Sequence, residues 1–113
     1  MRIFFITSKL NFENAGGSIE EYDLMMKTWQ ELGNEVTAVT TYSNANRIPN
    51  PLPYALKEEK IQNKNRWSIQ KGVLDIMRKY EKDADVFHVD GQFLYGAGLY
   101  RRLGGRVPVQ AYF

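Results

Sequence analysis

The sequence contains no cysteine. That absence excludes a disulfide framework, a cysteine-based metal site and a thiol nucleophile. Histidine is almost as scarce: His88 stands alone, too few for a conventional transition-metal site, so no metal is expected. No stretch approaches the roughly 18 consecutive apolar residues of a membrane-spanning helix. The apolar run at the N-terminus is too short for a signal peptide, and no small-residue cleavage site follows it, so the cytoplasm is the default location. Excess charge is also missing. The formal net charge is +2, which gives no grounds for a nucleic-acid partner without a basic stripe and a recognisable motif.

What is present is enough for one domain: 113 residues, of which 43% are hydrophobic. Arg2-Ile3-Phe4-Phe5-Ile6-Thr7 is an apolar run of strand length. Ile19, Tyr22, Met26, Trp29 and Leu32 then recur at helical spacing, predicting a helix over Ser18–Leu32 that Gly33-Asn34 stops. Glu35–Thr41 is rich in β-branched residues and reads as a second strand. A long stretch from Tyr42 to about Asn65 carries Pro49, Pro51 and Pro53, and its second half, Tyr54–Gln62, suits either a short strand or a short helix. A second helix is predicted from Ser68 to Tyr80, with Ile69, Val73, Ile76, Met77 and Tyr80 on one face. Asp85–Val89 is a third strand, a third helix lies between Gly91 and Gly104-Gly105, and Val107–Tyr112 is a fourth strand. Alternating strands and helices, with near-continuously apolar strands, predict an α/β, Rossmann-like parallel sheet with helices on both faces. The expectation is that the chain is the front part of a larger domain, truncated after that fourth strand, with surfaces exposed that favour self-association.

Three places carry potential chemistry. Asn14-Ala15-Gly16-Gly17-Ser18 joins the first strand to the first helix, and Ser18 with Glu21 has the form of a capping box. Glycines there let backbone N–H groups approach an anion such as phosphate, so Gly16, Gly17 and Ser18 are candidate phosphate-binding residues; a tight turn without a ligand explains the glycines equally. The dinucleotide fingerprint and the Walker P-loop are both absent. His88-Val89-Asp90-Gly91 closes the third strand, and period-two alternation puts His88 and Asp90 on one face. Asp90 is read either as a helix cap or as an acceptor of sugar-hydroxyl hydrogen bonds or a base. His88 is read either as a satisfied strand residue or as a donor to a phosphate or hydroxyl. Gly96-Ala97-Gly98 within the third helix suggests close packing against the sheet. The many cations between Lys57 and Lys82 read as a solvated helix face, or as a surface for anionic lipid at the membrane or for an acidic acceptor. The spacing of Glu13 and Glu21 matches a Glu-x7-Glu motif and is read as coincidence.

Taken in order, Met1–Thr7, Ala15-Gly16-Gly17-Ser18, Leu32-Gly33-Asn34-Glu35-Val36-Thr37-Ala38-Val39, Asp85–Gly91 and Val107–Tyr112 resemble the N-terminal domain of a GT-B glycosyltransferase of the group 1 (GT4-like) family, with Asn34 where that family often has histidine. The resemblance covers most of the chain except Tyr42–Arg66. It implies two Rossmann-like domains closing over a nucleotide-sugar donor, retention of anomeric configuration and no metal or other cofactor. It implies that Gly16, Gly17 and Ser18 approach the donor diphosphate and that His88, Asp90 and Gly91 line the acceptor side, His88 and Asp90 being the weak catalytic candidates. The nucleotide site and the acidic Glu-x7-Glu motif belong to a C-terminal domain not in this chain. A stand-alone flavodoxin-like module binding a small ligand or phosphate is the alternative. On the transferase reading the 113-residue polypeptide by itself transfers no sugar, and a radiolabelled-donor assay showing turnover by the purified chain would overturn that expectation.

Overall fold

A computed structural model of the chain describes residues 1–12, 17–42, 46 and 52–112; the side chains of residues 17 and 18 are outside the description. In chain order the elements are β1 (Arg2–Thr7), α1 (Gly17–Glu31), β2 (Glu35–Thr40), β3 (Ala55–Glu58), α2 (Arg66–Tyr80), β4 (Val86–Asp90), a 3-10 turn (Gly91–Phe93), α3 (Leu94–Arg102) and β5 (Val109–Tyr112). All strand pairs are parallel, in the order β3-β2-β1-β4-β5. This is the Rossmann-like strand order, with the sheet reversing direction between β1 and β4.

The sheet has five strands among the described residues, not four. The extra one, β3, lies in the stretch left open between strand and helix. Its register sets Thr37 against Ala55 and Thr40 against Glu58. It reads weakly because it is four residues long and sits at the sheet edge, where Lys57 and Glu58 are exposed and discourage further pairing. The segment Val107–Tyr112 is accordingly the fifth strand in chain order.

Alternation along the strands divides the core in two. Phe4, Ile6, Val39, Phe87 and Val89 pack with α2 and α3 on one face. Ile3, Phe5, Val36 and Ala38 pack with Tyr22 and Met26 of α1 on the other. Gly33 ends α1 with φ +94°, a left-handed position that costs glycine no Cβ clash. Helix α2 starts two residues earlier than its periodicity predicts, because Asn65 is its cap: its side chain accepts from Trp67 N (3.0 Å) and Ser68 N (2.9 Å), while Ser68 Oγ accepts from Asn65 N (3.1 Å). Among the described residues, no helix is long and apolar enough to cross a membrane.

Helices α2 and α3 are locked by a buried glutamine. Gln70 of α2 donates through Nε2 to Gln92 O (2.8 Å) and accepts through Oε1 from Gly96 N (2.7 Å), satisfying an N–H that the start of α3 leaves without an intrahelical partner. A Cβ on Gly96 would stand 2.6 Å from Gln70 O and 3.0 Å from Val73 Cβ, whereas one on Gly98 would meet nothing within 4 Å. The close approach expected of Gly96-Ala97-Gly98 is therefore made by Gly96, and against α2 rather than the sheet. Gly98 faces outward. Gly96→Ala is expected to destabilise the fold by about 1–3 kcal/mol, since helix backbone must move to admit the methyl. Gly98→Ala is expected to stabilise it by about 1 kcal/mol. Urea unfolding of the two variants measures both signs.

Candidate functional site

The carboxyl ends of β1 and β4 face the switch point of the sheet, where ligands of such folds bind. Asp90, the last residue of β4, is tied there by three hydrogen bonds. Thr7 Oγ1 donates to its Oδ2 (3.2 Å), Gln92 Nε2 to the same oxygen (3.0 Å) and Gln92 N to Oδ1 (3.4 Å). The hydroxyl of Tyr22 from α1 lies close enough to feel the Asp90 charge. Tyr22 is 8% exposed, and burial, then the charge of Asp90, push the phenol up to about 12. The hydroxyl therefore keeps its proton near neutral pH. Both readings of Asp90 have a structural basis: it caps the 3-10 turn, and its carboxylate is held half-exposed at the crevice with acceptor capacity remaining on Oδ1.

Thr7 belongs to this site through strand parity, since it shares the face of Ile3 and Phe5. Tyr112, at the end of β5, donates to Glu21 Oε2 of α1 (2.7 Å). Glu21 is therefore engaged by β5, while the Ser18 side chain of the expected capping box lies outside the described residues. Helix α1 begins at Gly17, which places Ser18 inside the first turn and not before it. Gly16 and Glu13 lie outside the described residues. A second polar knot ties the neighbouring strand ends. Asn46 Oδ1 accepts from Leu10 N (2.7 Å), and Asn46 Nδ2 donates to Thr40 Oγ1 (3.0 Å) and Glu58 Oε2 (2.8 Å). One side chain thus ties the ends of β2 and β3 to the loop after β1. Sequence gives no signal for Asn46, because nothing local distinguishes it from its neighbours. The pairing of Asp90 with Gln92 is a local turn pattern and was available.

His88 lies on the same sheet face as Asp90 but is enclosed. It is 6% exposed and packed edge-on against Phe5 and Trp29, with ring centroids at 5.4 and 5.0 Å. Trp29 is in the last turns of α1, far from Gly17. The structure therefore brings Asp90 and Gly91 to the crevice mouth and leaves His88 beneath the helix. Its Nε2 has no hydrogen-bond partner among the described residues. Among those residues no group of His, Asp and Glu is arranged to hold a metal ion.

Comparison with known proteins adds to the fold and stops there. No protein-family model matches the chain, and no curated protein matches it. Among solved structures it is similar to the C-terminal domain of a hydrogenase from Pyrococcus furiosus, with a TM-score of 0.60 and 16% identity over 99% of this chain and 91% of that one. The chain is a Rossmann-like α/β domain whose parallel sheet has five strands among the described residues.

Burial lowers the His88 pKa, opposed by a hydrogen bond with Gln110. The folded state thus favours the neutral imidazole. As pH falls through about 6.5 the unfolded chain takes up a proton before the folded chain does, so stability falls by up to about 1.4 kcal/mol per unit. Urea unfolding near pH 7.5 and again near pH 5.5 should show wild type losing stability, and His88→Phe losing less of it. An identical pH dependence in both proteins would assign the proton uptake to another group.

Proposed function

We propose that this chain is the N-terminal, acceptor-side Rossmann-like domain of a retaining GT-B glycosyltransferase, which transfers a sugar from a nucleotide-sugar donor to an acceptor. The ordered motifs support the reading at the level of sequence. The observation that carries it furthest is that the Gly17 end of α1 and the held carboxylate of Asp90 both lie at the carboxyl end of the sheet. A helix of 15 residues directs unsatisfied N–H groups and positive potential at its N-terminus, which suits a diphosphate. Asp90, oriented by Thr7 and Gln92, accepts from a hydroxyl of the acceptor through Oδ1 and so positions it for attack at the anomeric carbon. Its half-exposed place at the crevice mouth suits contact with substrate, whereas the enclosed His88 acts only through the packing of α1 on β4. The donor nucleotide is held by a C-terminal domain on this reading, and the same crevice without that domain is the small-ligand or phosphate-binding module of the alternative.

The test uses the full-length gene product and a panel of uridine-, guanosine- and adenosine-diphosphate sugars, reading nucleoside diphosphate release with and without acceptor extract. The expected result is acceptor-dependent release with one donor. Asp90→Asn keeps the cap but loses the charge, and should lower kcat/KM for acceptor by about 10- to 100-fold while leaving the KM for donor unchanged. No release with any donor, together with saturable binding of a phosphate compound by the chain alone, would move the assignment to the binding module.

A further inference from the structure

The outer face of α3 and the first turn of α2 carry an apolar surface that neither core cluster uses. Trp67 is 63% exposed and Tyr95 is 66% exposed, and their rings meet across the two helices at 6.2 Å. Tyr95, Leu99 and Arg102 follow one another at i, i+4 and i+7, so they form one line along α3, with Leu103 beside it. Leu99 and Leu103 are 39% and 58% exposed. Outward-facing Gly98 leaves the helix surface low between them. The segments that carry this patch are rich in cations, although Asp75 pairs with Lys71 further along α2 and Glu81 accepts from Tyr100 and Arg106. From Lys60 to Leu74 the sequence has four cations and no acid, and from Gly91 to Phe113 it has three arginines and no acid. Arg66 and Arg102 are exposed, and neither forms an ion pair with a described residue.

We propose that this face binds the surface of an anionic lipid bilayer. Tryptophan and tyrosine suit the headgroup boundary, where one edge of the ring is apolar and the other wet. The leucines enter the outer acyl region and the arginines pair with anionic headgroups, as in an interfacial amphipathic helix. Charge decides the occupant: an apolar patch flanked by Arg66 and Arg102, exposed and outside the ion pairs of the described residues, complements a negatively charged sheet of phosphates. The orientation follows from the fold. Trp67 and Tyr95 sit in the first turns of α2 and α3, which follow strand ends on the crevice side of the sheet, so docking holds the crevice close to the membrane plane.

The experiment mixes the 113-residue chain with vesicles of phosphatidylcholine alone or with about one-third phosphatidylglycerol, and reads co-sedimentation and tryptophan emission. Binding to the anionic vesicles, a blue shift that Trp67→Phe abolishes, and release at high salt are the expected results, Trp29 being packed against His88 on the opposite face of the sheet. Trp67→Ser combined with Leu99→Ser should lower partitioning by about tenfold or more while the circular dichroism stays that of wild type. Equal binding to both vesicle types, or none to either, overturns the proposal. So does concentration-dependent dimerisation without lipid that shifts Trp67 emission, which would make a second copy of the chain the occupant.

Discussion

One strand sets the plan of the molecule. β1 is hydrogen-bonded on both edges, to β2 and to β4, and buried on both faces. Phe5 and Ile6 are wholly inaccessible, one turned to α1 and the other to α2 and α3. Each such side chain contributes about 1.5–3 kcal/mol by leaving water, so a strand of this composition is stable only where helices cover both its faces. Parallel neighbours demand long crossovers, and the crossovers are those helices. The chain leaves β1 toward β2 on one side and returns to pair β4 on the other. The crevice is a consequence of that reversal: where adjacent strands lead their connections in opposite directions, their ends open a gap that the sheet cannot close.

Polar groups around the gap are arranged to keep it in shape. Asp90 is anchored to β1 by Thr7 and to its own turn by Gln92. Asn46 ties β2 and β3 to the loop after β1. Tyr112 closes β5 onto α1 through Glu21. A carboxylate held by neutral donors keeps a fixed direction, with an oxygen lone pair left free to accept. The opposite end of the sheet is tied by charge instead. There Arg2 N donates to Asp85 Oδ2 at 2.6 Å, and that hydrogen bond, then the guanidinium, hold the Asp85 carboxyl below its ordinary range.

The two helical layers differ in what they leave outside. Helix α1 meets the sheet through aromatic rings, Tyr22 against Phe5 and Trp29 against His88. Helices α2 and α3 meet each other through Gln70 and the missing side chain of Gly96, which lets the pair sit close. That contact turns Trp67 and Tyr95 outward together. The exposed apolar face is thus a product of how tightly the inner faces are joined.

Much of this was legible in the order of residues. Apolar runs and helical spacing located four strands and three helices, because burial imposes periods of two and 3.6 that a local window registers. Parity alone put His88 and Asp90 on one face. What the chain could not disclose are relations between distant residues. β3 is a strand because β2 has a free edge, not because Ala-Leu-Lys-Glu prefers extension. His88 is enclosed because Trp29, 59 positions away, covers it, and its motif looks the same whether open or covered. Gly96 and Gly98 are alike in sequence, and only the position of α2 makes one indispensable and the other dispensable. The sequence by itself determined the alternation of elements and hence the fold class. The tertiary structure decided which polar groups meet at the crevice and which apolar ones remain outside, because those depend on contacts between segments that no local pattern records.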